Sequence, residues 1–209
     1  RGCQLKGWSR VGYTWPHHQF TQDYIQEVQK LLGTKWKPTV IAKDGCGLPT
    51  LSMSVNELAT MYASLVTRKD EDWIWESMIR NPDLVGGFNR LDSTIMKSCQ
   101  GKVIAKEGAD GLLGLAIEHE DYPEGLGVVV KIAHGWDNTA TWFVARWILG
   151  VLGFELRNPY ALDRQKGFIV SEVIPPDLRD KMSDIQAWDS WDVDRDRWEF
   201  DPETYLEKS

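Results

Sequence analysis

The residues with the clearest potential for chemistry lie in one short stretch, from Lys43 to Thr50. Within it, the carboxylate of Asp44 precedes Cys46 by two residues, and a glycine flanks the cysteine on each side. Glycine allows positive φ angles and a close backbone approach, so a tight turn can present the carboxylate and the thiol to a cleft. The alternative is a structural turn with a buried, inert cysteine, since free cysteines are commonly buried. The sequence leaves both interpretations open.

The residues on either side of this turn predict how it is presented. The apolar segment 39–42 predicts a short buried strand, which would place the turn at a strand end. Pro49 follows the turn and is expected to keep the chain from returning to strand pairing, because proline has no N–H to donate.

A second stretch, residues 106–111, combines a lysine near the end of a predicted strand with two glycines. Gly108 and Gly111 leave room for a ligand beside the backbone. A lysine in such a place can transfer protons when it is partly buried, so Lys106 is a candidate catalytic residue. An ordinary surface lysine before a glycine turn is the alternative.

We expect the two stretches to form one site. Both contain glycines, and each follows a predicted strand, so both can face the same end of a sheet. The side chains of Asp44, Cys46 and Lys106 are therefore expected to lie within about 10 Å of one another, a generous bound for a pocket of the usual size.

The other ionisable candidates carry weaker signals. His17 and His18 are adjacent and point in different directions, so a role in a loop is expected rather than metal binding. His119 and His134 end the strands of a predicted hairpin and are expected to face solvent. Cys99 is expected to be an incidental, half-buried thiol.

Composition limits the class of protein. The chain has 209 residues, 42% hydrophobic and 26% charged, which suits one domain with an apolar core. A net charge of −7 argues against a general nucleic-acid binder, which needs a basic surface. Three widely spaced cysteines favour a reducing compartment, the cytoplasm, over a disulfide framework. No apolar run of about 18 residues is present, so no membrane span is expected. The first residue is not methionine, as expected of an internal start.

Periodicity predicts helices followed by strands around the two stretches. A capping box from Ser54 to Glu57 opens one helix, and Gly33 closes another. The predicted helices cover 20–32, 54–65, 70–80, 92–97 and 139–152, and the predicted strands cover 103–106, 112–118, 126–132 and 168–174. The breaker residues at 121–125 predict that two of these strands form an antiparallel hairpin. These elements describe an α/β chain of the α+β type.

The chain changes in composition beyond Pro175 and Pro176. Acidic residues dominate this tail, and three tryptophans are spaced among them, Trp188, Trp191 and Trp198. We expect a body at residues 1–176 and an accessory acidic tail at 177–209, laid over the body by its tryptophans. A docking motif for a partner is the alternative. Deleting the tail is expected to leave a folded body. The few apolar residues of the tail bury little surface, so the tail adds little to the stability of the fold.

Several short motifs follow one another in a set order. They are Gly12-Tyr13 with Pro16-x-His18, Asp44-Gly-Cys-Gly-Leu-Pro49, Leu58-Ala59 with Tyr62-Ala63, Asn81-Pro-Asp-Leu84, Gly86-Gly87 with Arg90-Leu-Asp92, Lys106-Glu-Gly-Ala-Asp-Gly111, and Gly125-Leu-Gly127 with Lys131-Ile132. In this order they resemble the later part of the asparaginase II family, the thermolabile and rhizobial-type asparaginases. The resemblance extends over roughly residues 6 to 175.

The resemblance implies a fold similar to that of serine β-lactamases and penicillin-binding proteins, in which an antiparallel sheet is flanked by helices. It implies hydrolysis of the side-chain amide of L-asparagine, with Lys106 and Asp44 as catalytic residues and Gly108 and Ala109 as substrate contacts. It also implies zinc, with Cys46 as a ligand. A small-molecule amide is then the expected partner and a homodimer a candidate assembly, while neither nucleic acid nor membrane is expected.

The departures from the family pattern matter equally. The chain contains neither the family's Ser-x-x-Lys nucleophile motif nor its Cys-Ser-Gly-Lys-His motif, and Asp110 replaces a glutamate. Cys3 and Lys6 imitate the spacing of the second motif, but counting back from Gly12 places Cys3 after it. With one thiolate of three ligands left, a closed zinc site is not expected, since such sites need about four donors.

Two hypotheses follow for the function. The first is the C-terminal portion of an asparaginase II-like amidohydrolase whose nucleophile lies on sequence outside this chain, so that the isolated chain has little activity. The second is a truncated or repurposed, non-hydrolytic relative, acting for example in a natural-product pathway. Eleven tryptophans favour, for this relative, a larger or more aromatic ligand than asparagine.

Overall fold

A computed structural model gives the structure of the chain and describes residues 2–133, 135 and 138–156. The helices are α1 (Gly2–Leu5), α2 (Gln19–Leu32), α3 (Val55–Thr67), α4 (Trp73–Arg80), α5 (Pro82–Val85), α6 (Leu91–Ser98) and α7 (Asn138–Val151). The strands are β1 (Ile41–Lys43), β2 (Pro49–Leu51), β3 (Val103–Gly108), β4 (Leu112–His119) and β5 (Tyr122–Lys131). Antiparallel sheets flanked by helices confirm the predicted α/β class of the α+β type.

Local signals set the C-terminal end of α2 and the start of α3 as predicted. Ser54 and Glu57 form the expected capping box, in which the side chain of each accepts a hydrogen bond from the backbone N–H of the other. Gly33 closes α2 with a φ of 101°. The start of α2 adds a cap that was not predicted, because His18 Nδ1 accepts from the N–H of Phe20 at 3.0 Å. His18 therefore has a structural role, in agreement with the expected loop role.

The main sheet has the order β3-β4-β5 and is antiparallel throughout. The predicted hairpin is confirmed, but its turn is shorter than expected, since β4 ends at His119 and β5 begins at Tyr122. Pro123 and Gly125 therefore lie in a strand and not in the turn. Within the described residues β5 pairs with β4 alone, and proline is tolerated on such an edge strand because no neighbour needs its N–H.

Helix α3 lies close against one face of this sheet because small residues line the contact. A Cβ added at Gly127 would lie 1.8 Å from the carbonyl oxygen of Ala59, and one at Gly114 would lie 2.0 Å from the ring of Tyr62. Lys106 pairs across the ladder with Gly114, and paired residues share a face. The lysine therefore stands on the side of the sheet that α3 covers.

Helix α7 confirms the predicted buried helix at 139–152. Its residues Trp142, Trp147 and Leu149 belong to the same buried apolar cluster as Leu113 and Leu115 of β4. The predicted strand at 168–174, the boundary at residue 176 and the tail at 177–209 lie outside the described residues.

The two-stranded sheet corrects two predictions about the first glycine stretch. β1 was expected to be buried, but its residues are half-buried or exposed, and the preceding Val40 is 57% exposed. Pro49 was expected to prevent strand pairing, yet it opens β2 directly opposite Lys43. A proline fits there because the first residue of an edge strand can face away from the ladder.

Candidate functional site

Lys106 lies within β3, and its ammonium group contacts a buried carboxylate. Its Nζ donates to Asp92 Oδ2 at 3.0 Å and to the backbone carbonyl of Glu107 at 2.8 Å. The side chain of Lys106 is 46% exposed, whereas that of Asp92 is 0% exposed. The pair therefore joins an accessible cation to an anion that has been removed from water.

Asp92 lies in the first turn of α6 and accepts two further hydrogen bonds. The backbone N–H of Ser93 donates to Oδ1 at 2.9 Å, and that of Glu107 donates to Oδ2 at 3.2 Å. An ionised carboxylate accepts and does not donate, so three donors around one buried carboxylate suit its charged form. Gly86 lies directly behind it, since a Cβ at that position would be 1.8 Å from Oδ1.

Asp92 was not among the site residues predicted from the sequence. A signal was present, because Leu91, Ile95 and Met96 place apolar side chains on one face of the same short helix. An acidic residue among them is buried, and a buried carboxylate requires a partner. Which cation supplies that partner depends on how α6 packs on β3, which helical spacing does not show.

A cavity of about 450 Å³ opens beside Lys106. It is lined by Leu31, Leu58, Met61, Tyr62, Leu65, Arg68, Met78, Val85 and Lys106. Apart from the phenol of Tyr62 and the two cations Arg68 and Lys106, these side chains are apolar, and none is acidic. Burial, with a smaller contribution from the charge of Asp92, raises the pKa of Tyr62, so its phenol remains a neutral hydrogen-bonding group near the ammonium. The cavity can take an apolar or aromatic group while Lys106 contacts a polar end.

The first glycine stretch forms a tight turn between β1 and β2. Asp44 Oδ1 accepts from the N–H groups of Cys46 and Leu48, both at 2.9 Å, and the Asp44 N–H donates to the carbonyl of Leu48 at 3.0 Å. Gly47 has a φ of 79°, which a glycine adopts without strain. The carboxylate thus holds the turn together, and Cys46 is exposed rather than buried.

The expected convergence of the two stretches stays a prediction. The described hydrogen bonds of Asp44 remain within its own turn, and those of Lys106 go to Asp92 and Glu107. Within the part of the chain that the structure describes, no polar contact links Asp44 or Cys46 to Lys106.

The predicted substrate contacts Gly108 and Ala109 are exposed at the end of β3. A Cβ at Gly108 would lie 2.9 Å from the side chain of Leu112, so the glycine also allows β3 and β4 to pair closely at this point. Beyond them, Lys131 Nζ donates to the carbonyl of Asp110 at 2.5 Å and braces the turn. The motif at 106–111 and the motif that contains Lys131 are therefore in contact, although contact of Gly108 and Ala109 with a substrate stays a prediction.

Two of the minor candidates differ from expectation. Cys99 is 1% exposed and not half-buried, and burial raises the pKa of its thiol to about 12. His119 was expected to face solvent, but its side chain is only 15% exposed, its Nε2 lies 3.2 Å from the carbonyl of Leu152, and its ring contacts Phe154. His134 lies outside the described residues.

The described residues do not fit a closed zinc site. No group of three or more histidine, cysteine, aspartate or glutamate side chains among them is placed to hold a metal ion. Cys46 is exposed, Cys3 is buried within α1, and Asp44 Oδ1 accepts hydrogen bonds from two N–H groups. No step of a reaction is therefore derived through zinc. In the same part of the chain no helix has the length and apolar character to cross a membrane.

Comparison with known proteins adds one finding to this geometry. A family model described as L-asparaginase II matches residues 1–169. The match includes both glycine stretches, α6 and the whole of the β3-β4-β5 sheet. The comparison with curated proteins found no match.

Proposed function

Since a match over residues 1–169 shows that the chain belongs to the L-asparaginase II family, we propose that Lys106 serves in hydrolysis of the side-chain amide of L-asparagine to L-aspartate and ammonia. The observation that carries this proposal is the ammonium of Lys106, held 3.0 Å from the buried Asp92 beside a cavity. An accessible cation with a fixed position can stabilise the negative charge that develops during amide hydrolysis.

In this reaction Lys106 would stabilise the charge on the carbonyl oxygen or donate a proton to the leaving nitrogen. A nucleophile loses its proton and adds to the amide carbon, and negative charge develops on the carbonyl oxygen. The C–N bond then breaks while the nitrogen takes up a proton and leaves as ammonia, and water breaks the bond to the nucleophile to release L-aspartate. An ammonium within hydrogen-bond reach can stabilise that oxygen or supply that proton. Gly108 and Ala109 would contact the substrate at the end of β3.

The proposal assigns no nucleophile to this chain, because its sequence contains no Ser-x-x-Lys. Asp44 and Cys46 enter as polar groups of the first glycine stretch, with Cys46 as the candidate thiolate for a metal. All three cysteines are free, which supports a reducing, cytoplasmic compartment.

The proposal is tested by ligand binding and ammonia release with the full chain. We expect L-asparagine to bind, Lys106→Met to abolish this binding, and ammonia release to stay near the uncatalysed background because the family's serine is missing. Lys97→Met is the matched control, since the side chain of Lys97 is 44% exposed and pairs with Asp83. Absence of binding, or equal binding by Lys106→Met, would overturn the role of Lys106. Ammonia release at an enzymatic rate that Lys106→Ala abolishes would show that another residue of the chain makes the attack.

The second candidate is a repurposed, non-hydrolytic member of the family that acts in the biosynthesis of a natural product. The apolar lining of the 450 Å³ cavity favours it, because L-asparagine carries two charges and a polar side chain. A comparison of thermal shifts separates the two candidates. Stabilisation by L-asparagine supports the hydrolase, whereas stabilisation by phenylacetamide and phenylacetate, lost in Leu58→Asp, supports an aromatic ligand.

A further inference from the structure

The buried end of the lysine pair carries an inference about how the site is built. We propose that Asp92 is a positioning residue, whose carboxylate fixes the ammonium of Lys106 in one place at the edge of the cavity. This inference rests on the proposed function of Lys106, although the contacts that support it do not depend on any reaction.

The carboxylate of Asp92 is itself fixed by the backbone. Its two oxygens accept from the N–H groups of Ser93 and Glu107, which belong to α6 and β3. Both are regular elements, so these donors cannot follow a side-chain rotation of the carboxylate. A rigid acceptor is the first requirement for positioning a flexible partner.

Space behind the carboxylate is also closed. A Cβ added at Gly86 would lie 1.8 Å from Asp92 Oδ1 and 2.6 Å from Ser93 Oγ, so the carboxylate lies directly against the backbone of Gly86 and cannot move further toward it. The φ of Gly86 is −106°, a value open to any residue. A glycine is therefore needed at position 86 because the carboxylate of Asp92 lies so close, and not because of its backbone conformation.

The lysine, in contrast, would be mobile without its acceptors. Its flexible four-carbon chain has several rotatable bonds, and nearly half of the side chain is exposed. Two acceptors, Asp92 Oδ2 and the carbonyl of Glu107, hold its Nζ. The carboxylate of Glu107 is paired with Arg90 Nε at 3.2 Å, so among the described contacts Asp92 supplies the negative charge that faces Lys106.

The pair of Lys97 and Asp83 shows why distance alone does not make a positioning contact. Their N···O distance is 2.6 Å, shorter than that of Lys106 and Asp92, but their side chains are 44% and 49% exposed. Water competes for both charges of such a surface pair, so the pair does little to restrict the position of either side chain. At Asp92 no water competes for the anion, since it is fully buried.

Trace labelling of amines tests the inference without any substrate. The folded chain is treated with a small amount of acetic anhydride, and the extent of acetylation of each lysine is measured by peptide mass spectrometry. In the wild type Lys106 should react more slowly than Lys97, although their side chains are almost equally exposed at 46% and 44%. Equal rates would overturn the inference directly.

Asp92→Asn should increase the labelling of Lys106 about tenfold, the order expected for losing a charge-assisted hydrogen bond. The matched variant Asp83→Asn should change the labelling of Lys97 less than about twofold, as for other surface pairs. The buried Cys99 reports global unfolding, since it must stay unreactive to a thiol reagent if the variant is folded. A folded Asp92→Asn with unchanged labelling of Lys106 would contradict the positioning role.

Gly86→Ala provides a second variant that retains both charges. Its methyl group displaces the carboxylate, so Lys106 should again be labelled faster, whereas Gly150→Ala, at a position with nothing within 4 Å, should have no effect. Unchanged labelling in a folded Gly86→Ala would count against the inference even if Asp92→Asn fails to fold. Failure of the wild type to bind L-asparagine would overturn the proposed function and leave this result standing, so the two outcomes remain distinct.

Discussion

The two glycine-flanked stretches resemble each other in sequence and differ in how the fold uses their polar groups. In the turn between β1 and β2, the carboxylate of Asp44 bonds to N–H groups two and four residues further along the chain, on the exposed surface. In β3, Lys106 bonds to a fully buried carboxylate that lies 14 residues earlier, on another element. The first arrangement closes on itself, whereas the second fixes a cation by means of the core. A stretch whose polar groups are anchored from the core is better suited to hold a reacting group in place.

The largest expected effect concerns the buried anchor. Asp92→Ala removes the acceptor of two backbone N–H groups and of the ammonium of Lys106, and should lower the free energy of unfolding by about 2–4 kcal/mol. The value lies below that of a fully buried pair because water can reach the exposed Lys106. Urea unfolding measures it as a lower midpoint with an unchanged slope. The control Asp83→Ala should cost less than about 0.5 kcal/mol, and a similarly small cost for Asp92→Ala would remove the difference between the two regions.

The sequence predicted those features that depend on neighbours along the chain. The capping box at Ser54 and the glycine closing α2 at Gly33 are local hydrogen-bond and φ requirements, and both are confirmed. The hairpin of β4 and β5 follows from alternation and breaker residues, although its turn is shorter than predicted, because an edge strand tolerates Pro123.

Features that depend on packing between distant elements were missed. The predicted burial of segment 39–42 was wrong because apolar residues indicate a buried strand only when another layer covers it, and within the described residues β1 pairs with β2 alone. Lys106 was identified as a candidate, but its anchor Asp92 was not, since the pairing of α6 with β3 is a tertiary contact. The family resemblance included both residues without indicating that they touch.

Two cysteines, Cys46 in the turn between β1 and β2 and Cys99 at the C-terminal end of α6, give the next prediction, a dependence of stability on pH. Burial raises the pKa of Cys99 from its ordinary 9.0 to about 12. Below pH 9 both folded and unfolded chains keep the proton, so Cys99 does not affect the pH dependence. Above pH 9 the unfolded chain releases it and the folded chain does not, so stability falls by about 1.4 kcal/mol per pH unit until pH 12.

Urea midpoints at pH 8 and pH 10.5, compared between wild type and Cys99→Ala, measure this effect. Cys99→Ala loses the same packing energy at both pH values. Groups such as Tyr62 titrate in both proteins, so their contributions cancel when the pH-dependent losses of wild type and variant are subtracted. The excess loss in the wild type belongs to the Cys99 thiol. Cys46→Ala retains the buried Cys99 and is the matched control, which should lose as much stability between the two pH values as the wild type does. An equal loss in wild type and Cys99→Ala would show that the thiol is not shielded as its burial indicates.

The smallest expected effect separates two roles of Asp44, holding its turn together and contributing charge to the site. Asp44→Ala removes two hydrogen bonds that water can replace at the exposed turn, so it should cost only about 0.5–1 kcal/mol. Asp44→Asn retains the oxygen that accepts from Cys46 and Leu48 and removes the charge, so its urea midpoint should match the wild type. If the turn and Lys106 share one cleft, Asp44→Asn should nevertheless weaken the binding of L-asparagine several-fold by calorimetry, because a charge close to the ligand is lost. Unchanged binding in this stable variant would confine Asp44 to its turn and leave Lys106, with Asp92 behind it, as the centre of the site.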